Sequence, residues 1–203
     1  PSIMRLPLYF FFISLFINSD KLCEYDSTEE EVSPVQITGK KISGLLPPIE
    51  ITNYDERVEF QGSLGTPAFH EGIDYINEDK SILDVPVLSA YDGKIVYIRS
   101  GCPESDPLKE NESLRECGAG WGNHIVIKHN EFFTRYAHLK PKSIMVKIGQ
   151  EVKRSRVIGY MGNSGRSDKR HLHFEIGFFS GDFRSCDPSQ SFDFVTDPLE
   201  SGF

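Results

Sequence analysis

The sequence predicts a mostly β protein: a compact antiparallel β-sheet domain, preceded by an apolar export segment and a polar leader. Three observations carry that expectation. His171-Leu172-His173-Phe174-Glu175-Ile176 alternates polar and apolar residues with period two through Phe178, the mark of a half-buried strand. Asp92-Gly93 and His129-Asn130-Glu131 each separate two strand-like runs, which reads as two hairpins. Beyond the N-terminal apolar run no segment keeps a helical period over a useful length, and 17 Gly and 12 Pro punctuate the chain.

Taken in order, Met4-Arg5 leads into an apolar run from Leu6 to Ile17, relieved by Pro7 and Ser14. A bilayer needs roughly 20 apolar residues, so this run is too short to span one. With Arg5 as a thin positive region and Ser19 as a small residue for cleavage, residues 1–22 read as a signal peptide or export segment, with Met4 as the start. Residues 23–50 read as a polar leader, acidic at Glu29-Glu30-Glu31 and extended at Pro47-Pro48. Residues 51–203 are expected to form the folded domain, since 203 residues suit one domain and a tail. A formal charge of -8 argues against a nucleic-acid groove and fits a self-repelling, monomeric surface.

Within the domain, Pro86 to Ser100 reads as two strands turning at Asp92-Gly93, followed by a polar loop from Gly101 to Trp121. Asn123 to His129 and Phe132 to Leu139 form the second expected hairpin. Met145 to Val152 and Arg156 to Met161 read as further short strands. Of the four cysteines, none has zinc-knuckle spacing. Export permits disulfides, and a Cys102–Cys117 bridge would close the polar loop and stabilise the fold by on the order of 3 kcal/mol. Cys23 and Cys186 remain as candidates for a second bridge, with lipidation of Cys23 as the competing reading.

The chemistry concentrates in two short motifs. Successive strand side chains point to opposite faces, so His171, His173 and Glu175 share one side and Leu172, Phe174 and Ile176 the other. Upstream, His70-Glu71-Gly72-Ile73-Asp74 places His70 and Asp74 on one face of an extended chain, with Gly72 permitting close backbone approach. Two histidines and a carboxylate with a further position left for water match the ligand count of a catalytic zinc site.

These motifs are joined by Val87-Leu88-Ser89-Ala90-Tyr91-Asp92-Gly93-Lys94-Ile95, Gly122-Asn123-His124-Ile125-Val126-Ile127, Thr134-Arg135-Tyr136-Ala137-His138-Leu139 and Ile158-Gly159-Tyr160-Met161-Gly162-Asn163-Ser164-Gly165-Arg166-Ser167. Together they resemble the lysostaphin-type zinc metallopeptidases, peptidoglycan endopeptidases marked by H-x-x-x-D and H-x-H. The resemblance runs from Pro86 to Ile176, with His70 to Asp74 ahead of it. It implies a compact antiparallel sheet with Zn2+ at a groove, held by His70, Asp74 and His173. It makes His138 and His171 the catalytic histidines, His171 as base and His138 stabilising the transition state, or the two roles exchanged. His124 and His129 match no functional position. Glu175 is read as orienting an imidazole or facing solvent, and Arg135 as packing or lining the groove.

The function so implied is zinc-dependent hydrolysis of the peptide cross-links of bacterial peptidoglycan, outside the cytoplasm in the periplasm, the cell envelope or the medium. The alternatives are a non-catalytic wall-binding or regulatory protein using the same groove, and a zinc peptidase acting on proteins. The chain departs from the family in two places. Lys169-Arg170 stands where Gly-Pro usually precedes H-x-H, which puts two cations beside the expected site. The loop 101–121 is longer than the family's crossing, and its acidic excess is expected either to line a rim of the groove or to form a solvated excursion with no contact to substrate.

Overall fold

In the computed structural model, residues 42–62 and 68–200 are described, and they contain ten strands. These are β1 (Glu56–Val58), β2 (Ile73–Ile76), β3 (Pro86–Leu88), β4 (Gly93–Arg99), β5 (Asn123–Lys128), β6 (Phe133–Leu139), β7 (Glu151–Val152), β8 (Val157–Tyr160), β9 (His171–Phe178) and β10 (Phe194–Thr196). The signal segment and most of the polar leader lie outside the described residues. The helical pieces among the described residues are short 3-10 stretches at Ile51–Asn53 and Cys117–Gly120, the second kinked through left-handed Gly118 and Ala119.

One large antiparallel sheet runs β1-β2-β9-β6-β5-β4-β7, and β10 pairs with the far end of β9 beyond β2. A small sheet of β3 and β8 lies apart from it. The alternation read in β9 is real: Leu172, Phe174 and Ile176 are fully buried in the main core with Ile125 and Ile127 of β5 and Tyr136 of β6. Val87 of β3 and Ile158 of β8 belong to the same core, which joins the two sheets. The other face of the large sheet is also covered. There Tyr97, Val126 and Phe133 pack with Phe192 and Val195, and with Phe179 and Phe183 at the margin. Burial on both faces explains why every residue of β6 is buried.

Two local expectations change. The β5–β6 hairpin forms as read, turning through His129, whose N–H donates to the Phe132 carbonyl at 2.9 Å. The Asp92-Gly93 turn joins no hairpin. β3 leaves for β8 while β4 pairs with β5 and β7. Asp92 is committed elsewhere, its carboxylate accepting from the Arg154 N–H and the Lys153 ammonium at 2.8 Å each. The run 145–152 is strand only at Glu151–Val152.

Candidate metal centre

β2 and β9 are neighbours, and their register sets Asp74 directly opposite His173. Residues opposite each other share a face. The pairing is close because Gly72 lacks a side chain: a Cβ there would lie 2.2 Å from the Phe174 carbonyl oxygen. His70 enters from a bridge with Gln61, just before β2. One ligand-type atom from each of His70, Asp74 and His173 lies within 4.8 Å of the others.

The tautomers follow from the acceptors. His70 Nδ1–H donates to the Glu59 carbonyl at 2.8 Å, which leaves Nε2 with its lone pair. That Nε2 is buried, 3.1 Å from Asp74 Oδ1, and makes no hydrogen bond. His173 sits between two carboxylates: Nδ1 is 2.7 Å from Asp74 Oδ1 and Nε2 is 3.0 Å from Glu175 Oε1. Burial would lower the His173 ring, yet these two carboxylates raise it to about 10. Burial likewise opposes charge on Asp74, but the His173 ring holds its carboxyl far below the usual range. The cluster therefore demands positive charge at its centre. An orphaned imidazole nitrogen, a second nitrogen and a carboxylate oxygen around one point suit a zinc ion, which would replace the proton between His173 and Asp74.

Two more imidazoles face the same point. His171 Nδ1–H donates to the Lys169 carbonyl at 2.8 Å, and its Nε2 lies 3.8 Å from Asp74 Oδ1. His138 Nδ1–H donates to the Ser164 carbonyl at 2.8 Å. The two rings are 4.5 Å apart, and His138 is 6.1 Å from His173. Both rings thus present an unprotonated Nε2, and burial pushes both below the ordinary histidine value. His138 reaches this place through a β-bulge. Leu139 pairs with Asn123 and Tyr136 with Ile125, so Ala137 and His138 together oppose His124. His138 takes a left-handed backbone, φ 58°, at a cost of roughly 1–2 kcal/mol.

Beneath His173, Glu175 is fully buried and far from solvent. It accepts from His173, from Trp121 Nε1–H at 2.7 Å and from Arg135 at 3.1 Å. The Arg135 guanidinium, itself fully buried, stacks 3.8 Å from the Trp121 ring centre and 4.6 Å from that of Phe192. Burial would raise Glu175, but Arg135 and His173 hold it down at about 2. The alternation of β9 marked Glu175; nothing in the sequence marked Trp121 as its donor.

His124 and His129 stand apart from the cluster, as expected. His124 stacks on Tyr97 and His129 packs against Phe132. The two cations expected beside the site are each engaged by other groups. Arg170 is buried and donates to the carbonyls of Asn77, Ile82 and Asp79 at 2.9, 2.7 and 2.7 Å, and Lys169 reaches Glu56 and Glu78. Both side chains are spent on holding the 77–82 segment and the edge of β1.

The loop 101–121 is closed by a Cys102–Cys117 disulfide. Most of its acidic side chains are engaged: Glu116 pairs with Arg166, Glu110 with Arg115, Asp106 with Lys109, and Glu104 accepts the Asn163 N–H; of these cations only Arg166 lies outside the loop, so an acidic excess remains. Cys186 is also disulfide-bonded; Cys23, its expected partner, lies outside the described residues.

Comparison with known proteins gives a consistent result. The family described as "Peptidase family M23" matches residues 68–183. Peptidoglycan DD-endopeptidase ShyB of Vibrio cholerae is 36% identical over 108 residues, 53% of this chain and 20% of that protein. Murein hydrolase activator NlpD of Escherichia coli is 36% identical over 93 residues, 45% of this chain and 20% of that protein. The chain thus matches only about a fifth of either relative's length. Among solved structures, a zinc-containing peptidase from Vibrio cholerae is 28% identical with a TM-score of 0.49, covering 75% of this chain and 38% of that one. The catalytic domain of lysostaphin from Staphylococcus simulans is 25% identical with a TM-score of 0.47, covering 71% and 89%. With residues 68–183 of 203 inside the match, this chain belongs to peptidase family M23.

Proposed function

We propose that the chain is an active zinc endopeptidase that hydrolyses peptide cross-links of peptidoglycan outside the bacterial cytoplasm. The observation that carries this reading is the convergence of five groups on one point: His70, Asp74 and His173 within ligand distance, with His138 and His171 turned towards them. His70 Nε2, an Asp74 carboxylate oxygen and His173 Nδ1 would hold the ion. Bound zinc supplies an activated water and polarises the scissile carbonyl.

The remaining work falls to the chain's own side chains. His171 Nε2 has a lone pair and takes the proton from the nucleophile, then returns it to the departing amine. His138 Nε2, which also carries a lone pair, stands beside His171 as a second acceptor, so the two rings can exchange the role of base. Glu175 keeps the hydrogen of His173 on Nε2, which reserves Nδ1 for the ion.

The name of the ShyB relative motivates a bond between two D-configured residues as the target. The Cys102–Cys117 bridge suits an oxidising compartment. The NlpD relative motivates a second reading, a regulator of other hydrolases. A complete set of ligands and two aligned proton acceptors favours hydrolysis, since a regulator needs neither. Digestion of purified, cross-linked wall fragments, with mass analysis of the products, separates the two. The zinc-loaded protein should release uncross-linked stem peptides and a chelated sample should not. Intact cross-links with fully loaded protein would leave the regulatory reading.

A further inference from the structure

We propose that the disulfide-closed loop from Cys102 to Cys117 is a positioning device for His138 and His171, acting through the segment 163–168. The functional half of this inference rests on the reading that those two histidines act on the reacting groups. The segment 163–168 forms no strand, so its backbone groups must find partners elsewhere. On one side it holds the rings. Ser164 O accepts His138 Nδ1–H at 2.8 Å, and Ser167 Oγ lies 3.1 Å from His171 Nδ1.

On its other side the loop holds it. Asn111 is fully buried, with Nδ2 donating to Gly165 O at 2.9 Å and its backbone N–H to Ser167 O at 2.9 Å. Arg115 adds a bond to Ser167 O at 3.2 Å. In return, Asn163 Nδ2 donates to the carbonyls of Asp106 and Lys109 at 2.8 and 2.6 Å. The loop is itself anchored at both ends. Cys102 exchanges two 2.8 Å hydrogen bonds with the Asn123 side chain, and Cys117 O accepts the Gly122 N–H at 3.0 Å. The disulfide ties these anchors together.

The consequence is electronic as well as steric. A neutral imidazole carries one hydrogen, and the partner of one nitrogen decides which nitrogen keeps it. While Ser164 O is fixed, His138 keeps its hydrogen on Nδ1 and its lone pair at Nε2. Released from Asn111, Ser164 would still be tied through its Oγ to Leu139 O and the Asn123 N–H, but its carbonyl would be free to tilt, and the His138 ring would turn or change tautomer with it. His171 would lose its Ser167 contact and keep only the bond to the Lys169 carbonyl. The ligands His70, Asp74 and His173 hang from β2, β9 and the Gln61 bridge, with no bond to the loop, so zinc should stay.

The test uses the full chain loaded with zinc, as Asn111→Ala and, separately, as the double variant Cys102→Ser with Cys117→Ser. The double variant keeps the buried amide and carries the test should Asn111→Ala not fold. Zinc content, kcat and KM on cross-linked peptide dimers, and the nitrogen-15 ring signals of the histidines are measured together. Zinc stoichiometry should hold, kcat should fall about 10- to 100-fold from misplaced groups, and KM should change by no more than about twofold. The His138 and His171 ring signals should shift or broaden while that of His129 stays. Unaltered His138 and His171 signals in a folded variant would overturn the proposal. Altered signals with undiminished kcat would sustain the positioning role and overturn the catalytic reading of the two histidines.

Discussion

At the residue scale the centre is built from groups that satisfy one another only if a positive charge is present. His173 between Asp74 and Glu175 is the clearest case, and its second carboxylate predicts a measurable dependence. Glu175→Gln should weaken zinc binding about 10- to 100-fold, read by competition with a chelating dye. Arg135→Met leaves the Glu175 charge buried with one compensating cation fewer and should cost about 3–5 kcal/mol in a denaturant melt. His138→Ala and His171→Ala should each retain zinc yet lose turnover by ~100- to 10,000-fold, the range for an acid–base residue. Elemental analysis beside initial rates checks both halves. That His70 and Asp74 share a face, and His171 and His173 another, was legible because the i, i+4 spacing and period-two alternation are local properties, while the choice of His173 as the proposed ligand came from the family resemblance. Arg135 was not legible. Its partnership with Glu175 is set by the β6–β9 register, which pairs those two residues across strands far apart in sequence.

At the scale of elements, the departures from expectation have identifiable causes. Simple alternation from Tyr136, which points into the main core, would send His138 there too. The bulge in β6 reverses it, and only the family resemblance anticipated that His138 meets His171. The Asp92-Gly93 turn carried a hairpin signature but lost its hairpin to tertiary bonds from Lys153 and Arg154. The β5–β6 turn predicts a pH effect. His129 is buried, with Nδ1–H donating to the Asp92 carbonyl at 2.8 Å and Nε2 2.9 Å from Thr134 Oγ1. Burial lowers its pKa from 6.5 to about 4. Between those values the unfolded chain binds the extra proton and the folded one does not. The contribution is therefore complete above about pH 6.5 and lost as pH falls towards about 4, at most about 3 kcal/mol. His129→Gln should lose less stability than the wild type across that window in denaturant melts taken at each pH.

At the scale of the whole molecule, one double-faced sheet fixes the centre on its β2–β9–β6 side. A loop from a distant part of the chain then braces the segment behind it. The sheet was legible, because β9, β5 and β6 carry strong local signals. The packing of the loop was not: its composition read as an acidic rim, while the bonds of Asn111, Arg115 and Asn163 that join it to the segment 163–168 have no local signature. Protein made in an oxidising compartment should yield a linked Cys102–Cys117 peptide pair on mapping without reductant, and two free thiols would contradict that bridge. The central claim is tested most directly by titrating the metal-free chain with zinc while following hydrolysis of a cross-linked peptide dimer. Activity should rise in proportion to zinc and level off at one ion per chain, with Asp74→Ala gaining neither ion nor rate. A rate indifferent to zinc, or an Asp74→Ala variant that binds and cleaves like the wild type, would contradict it.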